Sequence, residues 1–569
     1  MTAHVLPERG ALCRLANLDM LTRMKRIAVA LLLTAVVFAA GTPAAQKRKP
    51  RPAAPKPAAP KPAAAPMVPL LTYDEVVELY KHNPAPAALE AKKSKVLNTP
   101  FVDNSAADRG VRPRSVDVPG LGRSVRVAFW NIERGIEFDA IVAAFRGPEA
   151  LAPLVDGSKI ARDSEDWKTI MRQAETLVGA DVVVLNELDW GMRRSGYRNV
   201  PAELAAALGM NYAYGVEFIE CDPISTGTET FDEAKPEERA ELVANIAVDK
   251  SKFRGMHGTA ILSRYRLENV KITRLPKVYD WYWSELNGTS KLESGKRKAS
   301  EKILLEKFMR EVRRGSRMYL TADITEPAVP GGKVTIVATH LENRCVPKLR
   351  VEQLNAVLGR IASIGHPVVI AGDMNTSTSD GTPTSVSREV KKRVGSADFW
   401  AKKGIFYATG VGFLGSAAIG LANTGRKYGD PTVKNIRIVG SNPEAKFFET
   451  LRKYRFVDGK AFDFRGDKDR TANGRSGTLA NSNERDDKGF VISFEVERTV
   501  ASQGKLKLDW IFVKPLDVRD PDDDAQPYRF APHFAQTFKD LNYAIPDRIS
   551  DHNPMVVDLP FDEPTIPRR

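Results

Sequence analysis

Residues 125–135 read VRVAFWNIERG, an apolar run that ends in Asn131 and Glu133. A spacing of two through Val125, Val127 and Phe129 predicts a strand, and it continues onto Asn131 and Glu133, so both polar side chains share one face. The same plan recurs along the chain. Residues 181–185 (DVVVL) run into Asn186 and Glu187, and 333–338 (KVTIVA) into Thr339, His340, Leu341, Glu342 and Asn343. Residues 367–370 (PVVI) lead to Ala371, Gly372, Asp373, Met374 and Asn375. The run 505–513 (KLKLDWIFV) carries Asp509 inside an apolar strand, and Ser550, Asp551 and His552 precede the last apolar run, 555–559. Between the first two strands, Trp167, Ile170, Met171, Ala174 and Leu177 fall near helical spacing and predict a helix over 165–178.

A carboxylate at a strand end is ordinarily a turn former or a cap, and a single histidine is ordinarily a hydrogen-bonded structural residue. Six apolar strands that end in, or are broken by, Asn, Glu, His and Asp carry more weight than any one of them. Asp509 stands among Leu508, Trp510, Ile511 and Phe512. A lone carboxylate in such surroundings is strongly destabilising unless it is paired or near a cation. The available partners are His340, His552 or the shell of a metal ion.

Taken in order, the segments FWNIERG, LNELD, GTAILSR, ATHLEN, AGDMN, LDWIFV and SDHNP resemble the endonuclease/exonuclease/phosphatase superfamily, the deoxyribonuclease I-like metal-dependent phosphoesterases. The resemblance runs from about Val125 to Leu559. It implies an α/β fold, a four-layer sandwich of two mostly antiparallel or mixed β-sheets packed face to face and flanked by helices. The site would lie where the strand ends of both sheets meet. Glu187 would be the main carboxylate ligand of Mg²⁺ or Mn²⁺, with Asn131 beside it. Glu133 occupies a position that is acidic in some members, and Asp551 resembles a ligand or orienting carboxylate. Asp373 and Asn375 would position and activate the nucleophile, and Asp509 would orient a histidine and favour its charged form. His552 would contact the scissile phosphate or take a proton from water, and His340 is a candidate acid for the leaving oxygen. Hard oxygen donors with few nitrogens suit Mg²⁺, Mn²⁺ or Ca²⁺ rather than zinc.

The activity so implied is hydrolysis of phosphodiester bonds, with a nuclease the first case to consider. The alternatives are a phospholipid or sphingomyelin phosphodiesterase, a phosphomonoesterase, and, outside enzymes, a secreted binding module on the same fold. Substrates would be phosphate esters such as nucleic acid or phospholipid, and no obligate protein partner is evident. LDWIF stands where inositol-polyphosphate phosphatases usually carry a Trp-Cys-Asp-Arg signature, which counts against that specificity.

The 569 residues carry a formal charge of +14, which taken alone points to a polyanion binder. Residues 1–66 hold eleven Lys and Arg against Glu8 and Asp19, so +9 lies there and only +5 in everything after Pro66. The charge argument for nucleic acid weakens accordingly. From Met24 the chain reads MKRIAVALLLTAVVFAAGTPAA: a basic start at Lys25 and Arg26, an apolar run over 27–40, then small residues. That is the pattern of a secretory signal peptide, with an uncleaved anchor as the alternative. We therefore expect residues 1–45 to be a leader with signal peptide and 46–66 (QKRKPRPAAPKPAAPKPAAAP) an extended polyproline-type spacer. Residues 67–120 form an N-terminal extension with a short capped helix over 72–80, and residues 121–562 a catalytic domain with a long insertion around 377–505.

Other segments carry weaker signals. Arg317, ahead of MYLTADI, is a candidate phosphate ligand or a surface ion-pair partner. Arg470, Arg475 and Arg485 in RTANGRSGTLANSNER are candidates for an anion-binding rim, against the plain reading of a surface loop. Residues 279–283 (YDWYW) can stack a base or sugar, touch lipid, or pack under a loop. A helix over 349–364 carries Arg350 and Gln353 as packing or capping groups, and another over 443–454 precedes RFVDG. Three cysteines are too few for a disulfide framework, though Cys221 and Cys345 are able to pair in an oxidising compartment.

Overall fold

The computed structural model describes residues 68–221, 223, 226, 247–287, 312–329, 331–376, 430–436, 440–487, 489–495 and 505–563. The expected leader, the spacer and most of the insertion lie outside the described residues. No helix among the described residues is long and apolar enough to cross a membrane.

The strands of the two large sheets, in chain order, are β1 (Phe101–Asp103), β2 (Asp117–Val118), β3 (Gly122–Arg134), β4 (Val182–Trp190), β5 (Asn211–Cys221), β6 (Met256–Ser263), β7 (Glu268–Arg274), β8 (Val312–Gly315), β9 (Met318–Thr325), β10 (Lys333–His340), β11 (Val368–Asp373), β12 (Asp509–Lys514), β13 (His533–Thr537) and β14 (Met555–Pro560). The first sheet runs β1-β5-β6-β4-β3-β14-β13, with β2 beside β3 and β8 beside β5; the second runs β12-β11-β10-β9-β7. Pairs β3–β4 and β10–β11 are parallel and the other neighbours antiparallel, so both sheets are mixed.

Period-2 alternation sorts the side chains into layers. Val127 and Phe129 of β3, Val182 and Val184 of β4 and Ile261 of β6 share one buried cluster with Leu320, Ala322, Ile336, Val369 and Ile511 of the second sheet. This is the core between the sheets. Ala128 and Trp130, on the other face of β3, pack with Ile141 and Phe145 of the helix Phe138–Arg146 and with Ile170, Ala174 and Leu177 of the helix Glu165–Val178. On the far side of the second sheet, Val337, Ile370, Trp510 and Phe512 pack with Leu354, Val357 and Leu358 of the helix Pro347–Ile361 and with Phe447 and Phe448 of the helix Ala445–Lys453. The result is helix, sheet, sheet, helix: the four-layer sandwich that the resemblance implies.

The N-terminal extension is bound into the first sheet. Its helix Tyr73–Lys81 begins with a capping box formed by Thr72 and Glu75. Arg314 of β8 donates to the carbonyls of Leu79 and His82 and to Glu90, 2.6–2.8 Å away. β1 adds an edge strand to β5. One strand departs from its sequence-based description. The run 505–513 is not continuous: Lys505–Leu506 pairs with Phe494–Glu495, and β12 starts afresh at Asp509. Asp509 therefore heads its strand instead of lying inside it, with its N–H and that of Leu508 both donating to Ser493 Oγ.

Candidate active site

The residues singled out in the sequence meet where β3, β4, β10 and β11 end, β12 begins and the segment before β14 crosses them. On the second sheet the placement follows register. His340 lies opposite Asp373, and Asp373 opposite Asp509. Gly372 is required there, since a Cβ would collide with the Thr339 carbonyl oxygen of the adjacent strand. On the first sheet regular pairing breaks at the site. β3 slips register between Asn131 and Arg134, and β4 between Leu185 and Leu188, one extra residue in each case. Glu133 (φ 44°), Arg134 (φ 67°) and Glu187 (φ 57°) adopt left-handed backbone, the mark of bulges that re-aim side chains at functional sites.

One ion pair joins the segment before β14 to the second sheet: His552 Nδ1 lies 2.8 Å from Asp509 Oδ2. The His552 Nε2 atom is 3.8 Å from Asp373 Oδ2 and 3.9 Å from Asp551 Oδ1. The loop is pinned by Ser550 Oγ, which donates to the Asn131 carbonyl at 2.6 Å, and by Trp130 Nε1, which donates to the His552 carbonyl at 2.8 Å. The Asp551 N–H donates to Glu133 Oε2 at 2.9 Å. Asn131 sits at the centre. Its amide nitrogen is 3.3 Å from Glu187 Oε1, 3.4 Å from Asp373 Oδ2 and 3.4 Å from His552 Nε2, while its Oδ1 accepts the Glu133 N–H. Asn375 holds Asp373 from behind, its N–H donating to Oδ1 at 2.8 Å and its side chain to the Leu341 carbonyl.

Electrostatics separates the two histidines. Burial alone would depress the His552 pKa, but Asp509, then Asp551, push it up to about 10, so the ring is a cation at neutral pH. His340 is held well below the ordinary histidine range by burial and by Arg317, and is neutral. Arg317 Nη1 donates to His340 Nδ1 at 2.8 Å. Because a guanidinium only donates, the neutral ring carries its proton on Nε2, which lies 3.6 Å from Asp373 Oδ2. The Asp373 pKa is pushed up to about 7, by burial first and then by Asp509. Glu187 goes the other way: against its burial, His257 and Arg134 hold it below the ordinary carboxylate range.

The acid and histidine cluster is able to hold a divalent ion. Asp373, Asp509 and His552 each offer a ligand atom within 4.8 Å of the others, and among the described residues Asp509 Oδ1 and His340 Nε2 are buried without a hydrogen-bond partner. The Asp509–His552 ion pair already occupies Oδ2 and Nδ1, so the better seat for a hard cation is on the other side of Asn131. There the Glu187 carboxylate flanks the Asn131 amide, and turning that amide over presents its Oδ1 to the same space.

The arginines are placed differently from expectation. Arg317 is not in a surface ion pair: it is buried and bonded to Glu217 at 2.7 Å, and through its contact with His340 it serves the site as a support. Arg470 is held by Glu563 at 2.9 Å and Asp467 at 3.0 Å and lies on the Tyr528 ring. Arg485 is paired with Asp430 at 2.7 Å and Arg475 with Asp487 at 2.6 Å. An anion rim needs guanidiniums free to meet anions, and these three are already engaged by carboxylates, so they are structural ion pairs in place of the rim. In the 279–283 segment, Trp281 is packed, clamped between the guanidiniums of Arg313 and Arg344 at 4.3 Å each, with its Nε1 donating to Glu342; only Trp283 is exposed. Arg350 is a buried partner of Glu444 at 2.8 Å. Cys221 and Cys345 are both free thiols.

Sequence reasoning missed the supports. Asn186 Oδ1 accepts the Asp373 N–H at 2.8 Å, its amide donates to Thr259, and Thr259 donates to Glu217 at 2.5 Å. Glu217 lies within the apolar run of β5, the same signal that drew attention to Asp509.

A model of the Endonuclease/Exonuclease/phosphatase family matches residues 128–552. The chain belongs to that family. Endonuclease/exonuclease/phosphatase proteins hydrolyse phosphate esters, and this chain is an enzyme of that kind. No curated protein sequence matches it. Similar solved structures include a family protein from Beutenbergia cavernae (17% identity over 77% of this chain and 72% of that one, TM-score 0.30). The human Nocturnin catalytic domain with bound sulfate (13%, 79% and 98%, 0.32) and a 3'-5' exonuclease from Neisseria meningitidis (13%, 76% and 99%, 0.32) are others.

Proposed function

We propose that this chain is an exported phosphodiesterase dependent on Mg²⁺ or Mn²⁺, and that its substrate is a nucleic acid. The observation that carries the reading is the Asp509–His552 ion pair facing Asp373 and Asn131, with Glu187 on the far side of the same amide. Mg²⁺ or Mn²⁺, when bound at Glu187 with Asn131, Glu133 and Asp551 alongside, supplies positive charge to the phosphate oxygens.

The chain's own residues supply the rest. Asp373, with a pKa near 7, is matched to taking a proton from water at neutral pH; its Oδ2 is the reacting atom because Asn375 engages Oδ1. His552 presents a charged Nε2–H to the phosphate, its Nδ1–H being fixed on Asp509. His340 offers a neutral Nε2–H on the other side of Asp373.

Charge supports a diester over a monoester. Arg317 is neutralised by Glu217, Arg313 by Glu220 and Arg194 by Asp189. A phosphomonoester brings close to two negative charges at neutral pH and a diester brings one, so a centre whose arginines are this heavily paired suits the diester. Export rests on the signal-peptide pattern at 24–45.

The test is turnover of bis(p-nitrophenyl) phosphate against p-nitrophenyl phosphate by the full chain with Mg²⁺, Mn²⁺, Ca²⁺ or EDTA. We expect metal-dependent cleavage of the diester, followed by cleavage of DNA or RNA in preference to sphingomyelin. Preference for the monoester, or full activity after chelation, overturns the reading.

A further inference from the structure

The first sheet carries a second carboxylate–histidine pair, and its histidine has so far been given no role. Asp189 stands two residues beyond Glu187 on β4, opposite His257 on β6. His257 Nδ1 is 2.9 Å from Asp189 Oδ1. Arg194 grips the same carboxylate twice, Nε to Oδ2 at 2.7 Å and Nη2 to Oδ1 at 2.9 Å, and reaches on to Glu220 at 2.6 Å. Glu220 in turn holds Arg313 at 2.5 Å.

That arrangement decides which ring nitrogen carries the proton. A carboxylate clamped bidentately by arginine is ionised and only accepts, so His257 Nδ1 must be the donor. Nε2 is thereby left to the site, and it makes no hydrogen bond among the described residues. The ring is buried and lies on the site face of the sheet. Thr259, two residues away and on the same face, bonds to Asn186 and Glu217, which support Asp373 and Arg317. Gly258 between them allows β5 to approach, since a Cβ there would collide with the Gly215 carbonyl oxygen. His257 also lies close enough to Glu187 to be the first of the charges acting on that carboxylate.

We propose that His257 is a positioning residue for the cation seat at Glu187, its Asp189-fixed ring hydrogen-bonding through Nε2 to a water of the cation's shell. The inference rests on the reading above that a divalent ion sits at Glu187. A histidine whose other nitrogen donates to a carboxylate is the form in which proteins present imidazole to a metal or to its waters.

The test compares His257→Asn with His257→Gln in the full chain, using Mn²⁺ alone as the probe, by calorimetric titration and by the electron-paramagnetic-resonance signal of bound Mn²⁺. Asn keeps a donor for Asp189 and loses Nε2; Gln keeps a polar group at the Nε2 distance and loses the tie to Asp189. We expect the Asn variant to keep its melting temperature and to bind Mn²⁺ about 10–100-fold more weakly, with Gln recovering part of the loss. Wild type that binds Mn²⁺ with a stable Asn variant of equal affinity overturns the inference alone. Wild type that binds no Mn²⁺ overturns the metal reading and this inference with it. Should the Asn variant not fold, ¹⁵N-histidine-labelled wild type answers the same question: Mn²⁺ must broaden the His257 Nε2 signal, and a sharp signal overturns the proposal.

Discussion

The two sheets deliver their functional residues in opposite ways. The second sheet does it with regular strands: His340, Asp373 and Asp509 are direct register partners across β10, β11 and β12. The first does it with broken ones, in which β3 and β4 each gain a residue and turn Glu133 and Glu187 onto left-handed backbone. A straight strand end places a carboxylate at a fixed spacing from its neighbours, which suits a proton relay. A bulge aims one side chain across the gap between the sheets, and here it brings Glu187 to the amide of Asn131. The regular end holds groups whose charges interact strongly, and its left-handed residue, Asn375 (φ 48°), falls past the strand; the bulged end carries its strain inside the strands.

The largest effect should come from the relay. His552 has a folded pKa of about 10 against an ordinary 6.5, so it contributes stability that is fully present below pH 6.5. That stability is lost as pH rises through 10, and over this window the metal-free protein should lose on the order of 4 kcal/mol. Asp373, raised to about 7 from 3.8, loses stability in the same direction over a lower window. Denaturant unfolding with EDTA at steps between pH 6 and 10 measures the slope. His552→Ala should flatten it and reduce kcat/KM for a diester by roughly 10²–10⁴-fold. A wild-type slope of zero would mean that the Asp509–His552 pair carries no net charge benefit, and the contrast between the sheets would lose its electrostatic half.

A smaller effect probes the strained end. A non-glycine residue held at positive φ costs about 1 kcal/mol, and Glu187 is held at φ 57°. In the metal-free protein Glu187→Gly should therefore be more stable than Glu187→Ala by about 1 kcal/mol, both variants having lost Mn²⁺ binding. Asp373→Gly, at the end of a regular strand, should gain no such backbone relief. Equal melting temperatures for Glu187→Gly and Glu187→Ala would show that the bulge is not strained.

This asymmetry also explains what the sequence disclosed. The end of β11 was legible because AGDMN follows an apolar run with no interruption, and period 2 is all the geometry that Asp373 needs. The four layers were legible for the same reason, since the apolar stretches of the strands and the helix over 165–178 keep their periods up to the site. The aim of Glu187 was not legible, because a bulge leaves the composition of the strand unchanged. Asp189, Glu217 and His257 escaped because each owes its position to a partner from another segment of the chain: Arg194 for Asp189, Arg317 for Glu217, Asp189 for His257. Asp509 was misplaced by a few residues because KLKLDWIFV keeps its apolar pattern through a break that Ser493 makes by capturing two N–H groups.

The smallest effect lies outside both ends and tests the boundary of the site. Arg475 is more than half exposed and its partner Asp487 is more exposed still. An exposed pair of this kind is worth roughly 0.2–1 kcal/mol and is screened by salt. Arg475→Ala should therefore change stability by less than about 0.5 kcal/mol and leave kcat/KM for a diester within twofold. Arg470 cannot serve as the probe, because it is largely buried against Glu563 and Tyr528 and its loss would strand a carboxylate. A tenfold rise in KM for DNA in Arg475→Ala, with the small diester unaffected, would show that the loop meets the polyanion after all. The functional surface would then extend beyond the two sheet ends, and the ion pair with Asp487 would be one that the substrate displaces.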